Sequence, residues 1–215
     1  MLKKYELTSE TKVVSGKTLY RIRALVAFGD VEAGELGGWV ECEANLSQSD
    51  TAWVYDHARV FGAARVFNNA QVCGDAQVYD YALVYGNAEV YGNAQVFNNA
   101  QVYGDALVYD QAQVYGYALA RGYAKVYGNA RLCGNAETAL ETHLFQLGAI
   151  GSRNDFTTFF RTEDERLFVS CGCFCGPVNE FKKKVRQTHG NNKHAKAYAL
   201  AIKLAKLQVE DVEVQ

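Results

Sequence analysis

The stretch that decides the fold runs from Ala82 to Asp105 and reads ALVYGN AEVYGN AQVFNN AQVYGD. Its unit is six residues: alanine, a variable residue, valine, an aromatic residue and two turn formers. Outward from there, alanine recurs at every sixth position from Ala52 to Ala136, fifteen times without a gap. Two positions after the alanines, from 54 to 132, stand twelve valines, Ala120 and Leu132. The next position is aromatic in eleven of fourteen units, with Cys73, Arg121 and Cys133 as exceptions.

Alanine and valine two apart lie on one face of a short strand, and the residue between them lies on the other. Gly-Asn, Gly-Asp and Asn-Asn tolerate the left-handed backbone that a tight corner needs. Each hexad is therefore one strand and one corner. Such a unit cannot bury its apolar face alone, so successive units must coil and stack.

The pattern of an aliphatic residue, a small residue two earlier and a glycine-rich corner resembles the hexapeptide-repeat proteins. That resemblance implies a mainly β fold: a triangular left-handed parallel β-helix with three hexads per coil. The fifteen units then make about five coils over residues 52–139, a rod about 24 Å long at about 4.8 Å per coil. Residues eighteen apart stack, so valines line the lumen and aromatic residues form three outer stripes. Phe67, Tyr85 and Tyr103 share the stripe flanked by Leu83 and Leu119, which makes that wall the most apolar and the expected subunit interface. Another wall stacks Gln77, Gln95 and Gln113 between Arg59 and Arg131 and reads as wet.

Composition narrows the function classes. The chain has 215 residues, with 22 basic against 24 acidic side chains. That balance argues against a general nucleic-acid binder. Nearly half the residues are hydrophobic, which excludes global disorder. No apolar run is long enough to span a bilayer, and MLKKYELTSE lacks the apolar core of a secretory signal. The expected setting is cytoplasmic, with the six cysteines as thiols.

Residues 1–51 read as an N-terminal β cap: KVVSGKTLYRIRALVAF gives two strands around a Ser-Gly turn, and LGGW leads into the coil with broken phase. Residues 140–207 read as a small α+β module. LFQLGAIG, DFTTFFRT and RLFVSCGCFC are strands, Pro177 opens one helix, and KHAKAYALAIKLAKL is another. Residues 208–215 form an acidic tail. The leader, LGGW, GSR and CGCFCG together resemble an uncharacterised group of hexapeptide-repeat proteins of bacteria and their phages. That likeness implies a kind of protein and an association with phages, and no particular reaction.

Candidate sites follow from single features. Many hexapeptide-repeat proteins are trimeric acyltransferases, which implies an acetyl-CoA or other acyl-CoA site, a histidine base and an extruded loop. No insertion interrupts these hexads, and the only candidate bases are His143 and His57. Gly151-Ser152-Arg153, followed by Thr157 and Thr158, combines a glycine turn, hydroxyls and a guanidinium that suit a small anion. Arg121, in the degenerate unit 118–123, is a further anion candidate. Cys171, Cys173 and Cys175 alternate on one expected strand, too far apart to share one zinc unless a glycine bends the chain. In that case Cys173 and Cys175 with His189 are a metal alternative. Residues 177–207 carry eight basic groups and one acid, the solvated side of an amphipathic helix. The reading that emerges is a non-enzymatic oligomer, a trimer by family habit, presenting its C-terminal module to a protein partner or small anion without a cofactor.

Overall fold

The computed structural model describes residues 3–209. Strands β1 (Tyr5–Val14) and β2 (Lys17–Ala24) form an antiparallel hairpin about Ser15-Gly16, both with positive φ. Strand β3 (Leu36–Val40) pairs antiparallel with β2 on one side. On its other side it pairs parallel with Arg59–Val60, which continues the cap into the coil as one sheet.

Fifteen two-residue strands follow, from β4 (Trp53–Val54) to β18 (Glu137–Thr138). Their registers step by eighteen residues, as in Val72 to Val90 to Val108. Three parallel walls result, and the wall that includes β3 holds six parallel strands, so the solenoid has about six turns. The additional turn lies upstream of the regular repeat. Val40 pairs with Val60 and Leu46 bridges Val66, so this first coil carries twenty residues and the phase is broken there. Gly37 and Gly38 take the place of the missing small alanine. A Cβ on Gly37 would stand 2.6 Å from the Val54 carbonyl, and one on Gly38 2.7 Å from that of Ala58.

The lumen follows the hexad rule. The repeat alanine of every hexad from Ala52 to Ala136, and the aliphatic residue two positions after it from Val54 to Leu132, are fully buried. Burying each valine contributes roughly 1.5–3 kcal/mol. In all fourteen corners from Asp56 to Gly134 the first corner residue has positive φ, and each is Gly, Asn or Asp. The outer aromatic residues stack as nearly parallel rings. Phe61, Tyr79, Phe97 and Tyr115 form one ladder with centroids 5.0–5.1 Å apart. Phe67, Tyr85 and Tyr103 form another at 4.8–4.9 Å.

The C-terminal module is an antiparallel sheet of β19 (Leu144–Ile150), β20 (Asp155–Arg161), β21 (Leu167–Cys171) and β22 (Phe174–Pro177). Helices α1 (Val178–His189) and α2 (Lys193–Gln208) cover one face, where Phe159, Val169, Phe181, Tyr198 and Ile202 form a core. From the opposite face Phe160, fully buried, joins the core of the solenoid and closes its end. The module is thus the C-terminal cap of the coil. Asn192 caps α2 by accepting from the amides of His194 and Ala195. The expected acidic tail lies, from residue 210 onward, outside the described residues.

Two expectations about cysteine need correction. The segment RLFVSCGCFC is a hairpin rather than one strand, because Gly172 turns the chain at φ +59° and sets Cys171 opposite Phe174. The cysteines are also not all thiols: Cys133 of the last coil is disulfide-bonded to Cys175 of β22. The turn at Gly172 is what brings Cys175 back to the coil. Cys42, Cys73, Cys171 and Cys173 are free. No helix among the described residues is long and apolar enough to cross a membrane.

Candidate functional site

The glutamine wall and the C-terminal sheet meet in a cleft of about 420 Å³. The solenoid supplies five carboxamides: Gln95 and Gln113 from the strands, and Asn93, Gln111 and Asn129 from the preceding corners. The variable position of each hexad points outward, and the eighteen-residue register stacks one residue above the next. Strand β20 supplies Asp155, Phe156 and Thr158, and β21 supplies Ser170. Thr158 and Ser170 are directly paired, so their side chains leave the same face of the sheet.

Arg131 fastens the two halves. Its backbone N–H donates to Thr158 Oγ1 at 3.1 Å, and its guanidinium reaches the Gly172 carbonyl at 3.4 Å. Asp155 Oδ1 accepts from the Phe156 amide at 2.7 Å, while Phe156 stays 39% exposed. Ser170 differs from these. Its residue is 2% exposed, and its Oγ is buried in the wall of the cleft without a hydrogen-bond partner among the described residues. A buried hydroxyl normally finds a partner, and leaving one unmade costs about 1–3 kcal/mol.

The solenoid corners give a contrast. On one edge Thr51, Asn69, Asn87 and Asp105 pass hydrogen bonds from coil to coil at 2.9–3.1 Å. On the edge of the cleft Asn93, Gln111 and Asn129 have the same stacking. Among the described residues their carboxamides make no such ladder, and all three line the cleft, each amide carrying donors and an acceptor.

The candidates named from the sequence are scattered. Ser152 Oγ lies 3.4 Å from His189 Nε2 on the exposed side of the module. Arg153 packs against Gly172, where a Cβ would meet its guanidinium at 2.6 Å. Thr157 points away from the cleft: it is fully buried and donates to Cys171 Sγ at 3.4 Å. Its neighbour Thr158 is the residue that reaches the cleft. Arg121 stands on a different wall and is paired with Glu137, its Nε 2.7 Å from Oε1, and this pairing holds the Arg121 pKa above its usual value. The structure therefore does not gather Arg121, Ser152, Arg153 and Thr157 into one site.

The two histidines also fall apart. His57 is exposed at an early corner. His143 is 4% exposed beyond the last coil, and its Nδ1 accepts the Ala139 amide at 3.3 Å. The metal alternative of Cys173, Cys175 and His189 is not assembled, because Cys175 is bonded to Cys133. Among the described residues no group of three or more His, Cys, Asp or Glu could hold a metal ion. Phe67, Leu83, Tyr85, Tyr103 and Leu119 lie on one wall as expected, each half-buried. Ser170 was missed from sequence. Only the antiparallel pairing of β20 with β21, which sets it opposite Thr158, places it beside the glutamine wall.

Fold and site define the class: a parallel β-solenoid repeat protein whose capping module forms a polar cleft with the last coils. A family model described as YdcK Beta solenoid repeat matches residues 100–116, close to one turn of the coil. No curated protein matches the chain.

Proposed function

We propose that this chain is a non-enzymatic binding protein whose rod oligomerises and whose C-terminal module holds a small polar ligand against the glutamine wall. The observation that carries the reading is Ser170, a buried hydroxyl without a partner among the described residues, in a cleft of polar side chains. The wall of Phe67, Tyr85 and Tyr103 is the surface for self-association, and a trimer is the arrangement the hexapeptide likeness supports. The likeness of leader and module to bacterial and phage proteins supports a setting that includes phage infection. In the cytoplasm a reducing environment would act against the Cys133–Cys175 bond.

Native mass spectrometry of the purified chain, with and without acetyl-CoA, tests this reading. The expected result is an oligomer that ignores acetyl-CoA and carries or accepts another small molecule; the intact mass also reports the two hydrogens lost to the disulfide. A trimer that binds one acetyl-CoA per interface and turns it over would replace the proposal with an acyltransferase, and His143→Ala would then be the first variant to assay.

A further inference from the structure

We infer that the ligand of this cleft is a neutral polyhydroxylated molecule, a short saccharide, bound along the open carboxamide ladder and reaching Ser170. The inference rests on the binding-cleft reading above and adds the chemical class of the ligand.

The polar groups decide the class. A carboxamide offers two N–H donors and a carbonyl acceptor side by side. Asn93, Gln95, Gln111, Gln113 and Asn129 place five such groups in one cleft, the Gln95 carbonyl also accepting from the Tyr79 hydroxyl at 3.5 Å. A phosphate or carboxylate would use only the donors and would leave the carbonyl oxygens facing negative charge. A hydroxyl donates and accepts, so vicinal hydroxyls match both halves of each amide. Ser170 Oγ, a donor and acceptor itself, is satisfied by the same chemistry.

The charges agree. Among the described residues Arg131 is the single cation lining the cleft and Asp155 the single anion. The guanidinium already reaches the Gly172 carbonyl at 3.4 Å. The two charges cancel, so nothing selects a charged ligand, and Asp155 disfavours an anion. Phe156 adds an aromatic surface, 39% exposed, suited to the C–H face of a sugar ring.

The geometry favours a short chain over one ring. Two successive coils present paired carboxamides, Asn93 with Gln95 and Gln111 with Gln113, and Asn129 continues the row beside Arg131, at the coil spacing of about 4.8 Å, so a linear ligand meets amides on successive units. The hydrogen-bonded ladder through Asn69 and Asn87 shows that this stacking can close on itself. The ladder of Asn93, Gln111 and Asn129 leaves its groups to the cleft.

Ligand-observed saturation-transfer NMR on the full chain tests this, using maltose, cellobiose and N,N′-diacetylchitobiose, with inorganic phosphate and citrate as the anion arm. At least one disaccharide is expected to bind more tightly than about 10 mM. Ser170→Ala should weaken it about tenfold, the loss of one buried hydrogen bond. Gln113→Ala should weaken it as well, while Glu89→Ala, on another wall, should not. Gln113 is half-buried on the outer surface, so this variant keeps the test alive if Ser170→Ala folds poorly. Disaccharide binding indifferent to both cleft variants overturns the inference. Phosphate or citrate binding that is sensitive to them, without disaccharide binding, overturns the saccharide and leaves the cleft. Binding of neither class at the cleft removes both.

Discussion

Cys133 and Cys175 join the last coil of the solenoid to the fourth strand of its cap across 42 residues of chain. The bond crosses the boundary where repeat gives way to module, so it fixes how the cap sits on the coil. Loop closure of this length restricts the unfolded chain by up to about 4 kcal/mol. Cys175→Ser, or addition of a thiol reductant, should therefore lower the urea midpoint clearly, and the reductant should add nothing to the variant. Equal midpoints for oxidised and reduced protein would show that this bond does not hold the cap.

Arg121 replaces an aromatic residue in its stripe and pairs with Glu137 on the strand stacked next to its own. The Glu137 side chain is only 11% exposed, whereas that of Arg121 is 40% exposed. Removing the arginine leaves a nearly buried carboxylate without its partner, at a cost of about 1–2 kcal/mol after solvent screening. Arg121→Ala should show this loss in denaturant unfolding, and it should shrink in a Glu137→Gln background. A loss that is the same in both backgrounds would separate the two residues.

Ala120 and Leu132 belong to one coil, with Val126 between them, and all three are fully buried. The small residue and the large one compensate within that ring, so the lumen keeps nearly the volume of three valines. Ala120→Val should then overpack the coil and destabilise by about 1–3 kcal/mol. Ala120→Val with Leu132→Val should recover most of that loss. A stabilising Ala120→Val would mean that the coil holds a void.

Lys12 lies 4.1 Å from the Trp39 ring centroid. Burial, with Arg59 close by, lowers its pKa from 10.5 to about 8. Between those values the unfolded chain holds a proton that the folded chain has released. This group therefore makes stability rise with pH across the window from about 8 to 10.5. The melting temperature of the parent minus that of Lys12→Met should increase over that interval. A difference that stays flat would place the Lys12 amine in ordinary solvent.

The hexad period determined most of the fold without help from tertiary contacts. Each unit carries its own strand, its own small and aliphatic lumen residues, and a Gly, Asn or Asp corner. The order and stacking of these strands follow from repetition, because a residue eighteen positions on is always the neighbour. The first coil was less legible, since glycines at 37 and 38 do there what alanine does elsewhere and its length is twenty. The glutamine wall could be read in advance for the same periodic reason.

The cleft could not. It depends on where a non-repeating sheet docks, and no local period encodes that. The turn at Gly172 reverses the chain, sets Ser170 opposite Cys175, and returns that cysteine to Cys133. Pairing with β20 puts Thr158 beside Ser170 and sends Thr157 to the helices. Alternation along a strand says that Thr157 and Thr158 face opposite ways. Only the packing of Phe160 into the end of the lumen decides which of them faces the solenoid.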